Sequence, residues 1–206
     1  VEEVLDNKEF ETSSWQDIGM FSSEEVLNDY ISHMSEKISL ENDHKVVVDC
    51  ANGPTAKTTP RLMDEAGCET LTIHSHMDGS FPGRLAEPVA ENLQDLKKFV
   101  MSSNAEIGFA HDGDGDRLGV IDDRGRFIGQ DELLALMGYY YVRRFGGGIV
   151  TTVGASRIVD EKVAEAGGEV KRTKVGDVSV AQGMLSAGFP FGGEPSGCWI
   201  IGDVHH

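Results

Sequence analysis

A short apolar strand followed by a turn and a helix occurs twice in this chain, and this repeat constrains the fold more than any other feature. In the first half, residues 45–49 (KVVVD) are typical of a buried strand, and a helical pattern runs over about residues 55–65. In the second half, residues 149–153 predict a strand, and Ser156 begins a helix that runs to about residue 166. Strands that alternate with helices predict an α/β fold with two similar modules. We expect each module to have three layers and a mixed sheet.

The chain is long enough for two domains with a core each, since it has 206 residues. We predict one α/β domain over residues 22–128 and a second over residues 129–206. The sequence leaves open whether the second domain is truncated. A helix that starts near Gly129 sets the boundary. Residues 1–21 are acidic with a short helical pattern, and we expect them to be the tail of a missing first domain and a linker.

Charge and composition exclude several functional classes. The net charge of −17, from 35 carboxylates against 18 lysines and arginines, repels nucleic acid, although an acidic surface adapted to high salt would look the same. No apolar run approaches the ~18 residues that a membrane span needs, so no membrane partner is expected. The three cysteines are far apart and have no Cys-x-x-Cys spacing, which favours a reducing cytoplasm over a disulfide framework or a zinc site.

Three carboxylates alternate with two glycines in the stretch Asp112-Gly113-Asp114-Gly115-Asp116, and Arg117 follows directly. The glycines let the backbone curl, which could bring the carboxylates together at the end of a predicted strand over residues 107–110. Like charges that close repel each other unless a cation lies among them, so the pattern indicates a hard-cation site, and Mg²⁺ fits best. A guanidinium after the triad suits a site that also binds phosphate.

Two other interpretations of the aspartate loop stay open. Asp and Gly form turns, so a solvated acidic turn would use the same residues. An EF-hand calcium loop matches the three aspartates but then fails, because Arg117 stands where Gly is needed and Asp123 where a Glu is needed. A non-catalytic divalent-ion-binding or scaffold module that uses this loop for Ca²⁺ is therefore the alternative function.

Two further loops could bind a small phosphorylated ligand. Glu194 and Ser196 lie in a glycine- and proline-containing loop, where a carboxylate and a hydroxyl could hold neighbouring sugar hydroxyls. Lys174 follows a predicted strand and precedes a helix, where its ammonium and the helix N–H groups could meet a phosphate. An ordinary surface turn and a solvated lysine explain these residues as well.

Taken together, the motifs resemble one family, the α-D-phosphohexomutases, which include phosphoglucomutase, phosphomannomutase and phosphoglucosamine mutase. The resemblance covers nearly the whole chain in the expected order and is most similar to the phosphoglucosamine and phosphomannomutase branch. It rests on KVVVD at 45–49 with Asn52-Gly53, DGSFPGR at 78–84 with Glu87-Pro88, DGDGDR at 112–117, TKVGD at 173–177 and GEPSG at 193–197. These enzymes have four domains, and the chain corresponds to the second and third.

The resemblance implies a role for each candidate residue. Asp112, Asp114 and Asp116 would bind Mg²⁺ together with a phosphoserine of the first domain, and Arg117 would lie against that phosphate as a catalytic residue. Lys174 would approach the substrate as a catalytic and substrate-binding residue, and Glu194 and Ser196 would hold sugar hydroxyls. The implied reaction is that of an isomerase, a phosphotransfer between C1 and C6 of a hexose phosphate such as glucosamine, glucose or mannose phosphate.

The chain also departs from the family pattern. A Thr-Ala-Ser-His-Asn-Pro-like nucleophile segment does not occur in it, and Cys198 stands where the family has a histidine after Ser-Gly. The partners implied are a hexose phosphate and the missing first and fourth domains of the same protein, with the oligomeric state left open. We therefore expect this chain alone to bind a divalent metal and weakly a sugar phosphate, without turnover.

Overall fold

Two mixed sheets organise the chain in a computed structural model that describes residues 2–8, 10–38, 40 and 43–202. The ends of the predicted domain ranges, residue 1 and residues 203–206, lie outside the described residues. Before the first sheet come helix α1 (Glu2–Asn7) and a single 3-10 turn at Trp15–Asp17. Among the described residues, no helix has the length and apolar character needed to cross a membrane.

The first module has a five-stranded sheet in the order β2-β1-β3-β4-β5. Its strands are β1 (Lys45–Asp49), β2 (Glu69–Ile73), β3 (Ile107–His111), β4 (Leu118–Asp122) and β5 (Phe127–Ile128), and its helices are α2 (Leu27–Ser35), α3 (Thr59–Glu65) and α4 (Gln94–Ser103). Strand β1 pairs in parallel with β2 and β3, whereas β4 is antiparallel to both of its neighbours. The sheet is therefore mixed.

The second module repeats this plan with a four-stranded sheet in the order β7-β6-β8-β9. Its strands are β6 (Gly148–Thr152), β7 (Glu169–Thr173), β8 (Phe191–Gly193) and β9 (Trp199–Ile201), and its helices are α5 (Gln130–Phe145), α6 (Arg157–Glu165) and α7 (Asp177–Ala187). Strand β6 is parallel to β7 and β8, and β9 is antiparallel to β8. The predicted fold class of two similar α/β modules with mixed sheets is confirmed.

Each central strand is buried on both faces. Successive residues of a strand point to opposite faces, and on β6 the side chain of Ile149 packs in the core cluster of α5 and α6, whereas Val150 packs with Val180 and Met184 of α7. On β1, Val47 packs against side chains of α4, and its neighbours Val46 and Val48 are equally buried. This double burial explains the apolar run Val46–Val48 in β1 and the adjacent apolar residues Ile149 and Val150 in β6.

Two helix boundaries differ from the sequence prediction. The pattern Ser22-Ser23-Glu24-Glu25 resembles a capping start and predicts a helix from Ser22. In the structure α2 begins at Leu27, because residues 22–26 are exposed and a cap without apolar packing does not hold a short helix. The predicted helix over residues 55–65 begins as a 3-10 turn at Pro54–Lys57, and α3 starts at Thr59 so that Pro60 lies in its first turn. The predicted cap of α6 is confirmed, since Ser156 Oγ accepts a hydrogen bond from the N–H of Ile158.

Candidate functional site

The two loops that the sequence singled out occupy equivalent places in the two modules. The aspartate loop, residues 112–117, joins β3 to β4, and the Glu194 loop, residues 194–198, joins β8 to β9. In each module the strand before the loop is parallel to the central strand, and the strand after the loop is antiparallel to the strand before it. Both loops thus begin at the carboxyl end of a parallel strand, which is where α/β sheets bind ligands.

The three aspartates of the first loop converge. One carboxylate oxygen from each of Asp112, Asp114 and Asp116 lies within 4.8 Å of the others. The loop curls around the buried Asp112, whose Oδ1 accepts hydrogen bonds from the N–H groups of Gly115 at 2.9 Å and Arg117 at 3.1 Å. Gly115 has φ +90°, and a Cβ there would lie 2.4 Å from a methyl of Thr55, so this bend requires glycine.

Burial, hydrogen bonds and neighbouring carboxylates shift the pKa values of Asp112 and Asp116. Burial, followed by the nearby carboxylates of Asp112 and Asp114, raises the pKa of Asp116. Burial also acts to raise the pKa of Asp112, but hydrogen bonds from Arg117 and others outweigh it and lower that pKa. Three convergent carboxylate oxygens match the ligand preference of a hard cation such as Mg²⁺ or Ca²⁺.

Arg117 lies at the edge of the triad. Its Nη1 donates to Glu87 Oε1 at 2.5 Å, and its Nε lies 3.7 Å from Asp116 and 3.8 Å from Asp112. The carboxylate of Glu87 is the main cause of the raised pKa of Arg117. The guanidinium therefore stays charged next to the aspartates, where it could bind a phosphate together with a metal ion.

A cavity of about 230 Å³ lies where the two modules meet. It is lined by Asp116, Arg117, Gly176, Asp177, Glu194, Ser196 and Cys198. The first module contributes the end of the aspartate loop, and the second contributes the Glu194 loop and the start of α7. The fold thus brings four of the predicted site residues, Asp116, Arg117, Glu194 and Ser196, around one space.

Within the second module, Glu194 is fixed by a backbone contact. Its Oε1 accepts a hydrogen bond of 2.6 Å from the N–H of Gly176, the residue before α7, whose φ is +121°. Glu194 and Ser196 are both half-buried at the cavity wall. A carboxylate held in this way, beside a hydroxyl, is suited to bind sugar hydroxyl groups.

Two residues near this cavity need separate description. Lys174 is exposed and lies two residues before Gly176, outside the set of described residues that line the cavity, so its substrate contact stays a prediction. Cys198 does line the cavity, and burial followed by the carboxylates of Asp116, Asp177 and Glu194 raises its pKa. Its thiol is therefore protonated at neutral pH.

Sequence reasoning gave no role to a buried ion cluster beneath the aspartate loop. Asp49 Oδ2 pairs with Arg84 Nε at 2.7 Å, and Asp49 Oδ1 lies 3.0 Å from His74 Nδ1. Arg84 Nη2 also donates to the carbonyl oxygen of His111, the residue before Asp112. A charged residue at the end of an apolar strand signals that a partner is needed, but it does not identify which one.

The family models of known proteins match most of the chain. The model described as phosphoglucomutase/phosphomannomutase, alpha/beta/alpha domain II, matches residues 28–125. The model for alpha/beta/alpha domain III of the same proteins matches residues 129–206.

Similar proteins are about twice as long as this chain. It is 44% identical over its whole length to a "Probable phosphoglucosamine mutase" of Methanopyrus kandleri and 40% identical to a "Phosphoglucosamine mutase" of Methanocaldococcus jannaschii, and it covers 46% and 47% of them. A crystal structure of a phosphoglucomutase/phosphomannomutase family protein from Burkholderia thailandensis superposes with a TM-score of 0.88 at 34% identity, with 100% of this chain and 44% of that chain covered. The chain thus spans about half the length of the curated relatives it matches.

Proposed function

This chain belongs to the phosphoglucomutase/phosphomannomutase family, and we propose that it forms two consecutive domains of a phosphohexomutase, over residues 22–128 and 129–206. Such an isomerase moves a phosphoryl group between C1 and C6 of a hexose phosphate. The cavity between the modules carries this proposal, because a loop suited to a cation, with its arginine, faces a loop suited to sugar hydroxyls. A loop that served only as a surface turn would have no reason to face the other loop across a cavity.

The metal ion in this proposal is Mg²⁺, held by Asp112, Asp114 and Asp116. When bound, it would offset negative charge on the phosphoryl group, from which much of the catalysis of phosphoryl transfer comes. The convergence of the three carboxylate oxygens within 4.8 Å supports this assignment, since Mg²⁺ prefers oxygen ligands.

The chain's own side chains would bind and orient the substrate. Arg117 would bind oxygens of the phosphate, because its Nε edge lies next to Asp112 and Asp116. Glu194 and Ser196 would bind the sugar hydroxyls from the other side of the cavity. Lys174, exposed on the loop before Gly176, would reach the substrate from outside the cavity wall.

Glucosamine phosphate is the first hexose phosphate to test. Relatives at 40% and 44% identity bear the name phosphoglucosamine mutase. In addition, the second module contributes two carboxylates to the cavity, those of Asp177 and Glu194, which remain when Asp116 binds the metal ion. This excess of negative charge favours the ammonium group of an amino sugar over a neutral hydroxyl at the same position.

The proposal also assigns a phosphoserine and a fourth domain to other parts of a longer protein. Accordingly, this chain alone should bind ligands without turnover. The cytoplasmic location expected from the cysteine spacing stays a prediction. The competing function is a Ca²⁺-binding scaffold module, which would have no use for the Glu194 loop.

Calorimetry can separate the two functions. Mg²⁺ should bind the chain, and glucosamine 6-phosphate should then bind more tightly than glucose 6-phosphate or mannose 6-phosphate. Asp114→Asn should abolish metal binding, while Asp123→Asn, in an exposed turn at the other end of β4, should not. Glu194→Gln should weaken sugar phosphate binding, with the exposed Glu169→Gln as its control.

The opposite outcome is equally clear. A preference for Ca²⁺ over Mg²⁺, with no response to any of the three sugar phosphates, would establish the scaffold function instead. Mutase activity of the 206-residue chain by itself would show that the phosphoserine and the fourth domain are not required.

A further inference from the structure

The segment of residues 84–87 contacts the aspartate loop at both ends. At the start of the loop, Arg84 Nη2 donates to the carbonyl oxygen of His111 at 2.5 Å, directly before Asp112. At the end of the loop, Glu87 Oε1 accepts from Nη1 of Arg117 at 2.5 Å, directly after Asp116. Arg84 and Glu87, three residues apart, thus contact the chain directly before and directly after the three aspartates.

Arg84 is itself firmly fixed. Its side chain is 5% exposed, and it pairs with Asp49, which is 1% exposed, at the end of the central strand β1. Its Nη1 donates to the carbonyl oxygens of Leu85 at 2.9 Å and Ala86 at 3.0 Å. Because a buried guanidinium is costly unless all its neighbours are in place, its position is strongly determined.

The middle of the aspartate loop packs on the same part of the chain. A Cβ added at Gly113 would lie 3.0 Å from the ring of Phe81 and 3.1 Å from the methyl of Ala86. At the following strand, a Cβ at Gly119 would lie 2.8 Å from the carbonyl oxygen of Pro88. The contact is therefore continuous, and the loop has little room to move away from the segment.

We propose that Arg84 and Glu87 are positioning residues for the phosphoryl-transfer site, with a separate task each. Arg84 fixes the start of the loop and through it the three aspartates, so it sets the affinity for the metal ion. Glu87 fixes the guanidinium of Arg117, so it sets the affinity for phosphate. This inference rests on the proposed function, which supplies the metal ion and the phosphate.

The geometry around Arg117 gives the direction of the Glu87 effect. Nη1 of Arg117 donates its hydrogen bond to Glu87. Nε of Arg117 lies 3.8 Å from a carboxylate oxygen of Asp112 and 3.7 Å from one of Asp116. A long side chain that is held in place before the ligand arrives loses less freedom on binding. Simple electrostatics predicts the reverse, because removal of a carboxylate should strengthen the binding of an anion. Weaker phosphate binding without the Glu87 carboxylate therefore indicates that Glu87 positions Arg117, and tighter binding indicates that its charge alone matters.

The test for Arg84 is the affinity for Mg²⁺ measured by calorimetry. Arg84→Lys keeps the charge beside Asp49 but loses the forked donor set, and we expect the dissociation constant to rise about tenfold or more. The exposed Arg124→Lys is the matched control. Val100→Ala, in the buried face of α4, controls for lost stability, since it should lower the melting temperature without weakening Mg²⁺ binding. If Arg84→Lys binds Mg²⁺ as tightly as Val100→Ala, the role of Arg84 is overturned.

The test for Glu87 is the affinity for inorganic phosphate at saturating Mg²⁺, followed by NMR titration. Glu87 is exposed, so its variants should fold normally. We expect Glu87→Ala to weaken phosphate binding several-fold, Glu87→Gln to lie between it and the wild type, and the exposed Glu91→Gln to match the wild type. Mg²⁺ affinity should change little in all three. Equal or tighter phosphate binding by Glu87→Ala overturns the role of Glu87.

Measurements on the wild-type protein distinguish a failure of the proposed function from a failure of the positioning roles alone. If the wild type binds no divalent metal, the proposed function fails and the inference fails with it. If the wild type binds Mg²⁺ and phosphate while Arg84→Lys and Glu87→Ala behave like their controls, only the positioning roles are wrong.

Discussion

The N–H of Leu118 donates a hydrogen bond of 3.2 Å to the carbonyl oxygen of Gly197, which ties the end of the aspartate loop to the Glu194 loop of the other module. The carbonyl oxygen of the same Leu118 accepts from Nε2 of Gln130, the first residue of α5, at 2.9 Å. The backbone of one residue in the first module is thus held from two places in the second. The relative position of the two site loops depends on these backbone contacts.

Gly197→Ala should disrupt this connection. Gly197 has φ +88°, and a Cβ there would lie 2.6 Å from the carbonyl oxygen of Leu118. Backbone strain of this kind costs about 1–3 kcal/mol, so we expect a lower melting temperature and weaker hexose phosphate binding. Gly154→Ala is the control, because no described atom lies within 4 Å of its added Cβ. Equal melting temperatures for the two variants would show that the loop contact is not required.

Asp49→Ala should be among the most destabilising substitutions in the first module. It leaves the buried guanidinium of Arg84 without its carboxylate, and loss of one partner from a buried ion pair costs about 3–5 kcal/mol. The exposed pair of Asp95 with Lys98 offers a comparison, and Asp95→Ala should cost under about 1 kcal/mol. Urea denaturation measures both free energies of unfolding. Similar losses for the two variants would contradict the importance of the buried cluster.

Cys50 should be the least reactive cysteine of the folded protein. Burial, followed by the carboxylate of Asp49, raises the pKa of Cys50 from 9.0 to about 12. At a pH below 9.0, iodoacetamide should label Cys68 in the folded protein, whereas Cys50 should react only after denaturant is added. Mass spectrometry of the labelled protein measures both reactions.

The same pKa shift has a consequence for stability. Because the pKa of Cys50 is raised in the folded state, its contribution to stability is fully present below pH 9.0 and is lost as the pH rises towards about 12. The free energy of unfolding of the wild type should therefore fall more steeply above pH 9.0 than that of Cys50→Ala. Parallel curves for the two proteins would contradict the shift.

Cys198 offers a chemical probe of the cavity. It lines the space together with Glu194 and Ser196, so a hexose phosphate bound there with Mg²⁺ should slow its alkylation. Cys68, which does not line this cavity, serves as the internal control and should react at an unchanged rate. The protection should disappear in Glu194→Gln. Protection that extends equally to Cys68 would indicate a general effect on the protein and not binding at this site.

Local sequence patterns predicted the regular structure well. The apolar runs around Val47 and Val150 are strands buried on both faces, and each is followed by a helix as expected. The start of α2 at Leu27 was missed, because a capping pattern at Ser22 gives no information about which turns find an apolar surface to pack on.

The candidate site was only partly predictable. The aspartate loop was recognisable as a candidate site because its carboxylates come from residues two apart in the chain. In contrast, Arg84 lies 27 residues from His111, and Glu87 lies 30 residues from Arg117. Contacts over such distances leave no periodic pattern, so a role for Arg84 and Glu87 could not be read from their position in the sequence.

By itself, the sequence determined the order of strands and helices, the α/β class and the position of the candidate metal-binding loop, because all of these follow from residues close together in the chain. Only the tertiary structure decided that the Asp116 and Glu194 loops line one cavity and that a buried arginine supports one of them. The physical reason is that backbone hydrogen bonds and buried ion pairs between distant segments form only when the chain has packed into its tertiary structure, and local propensity does not specify their partners.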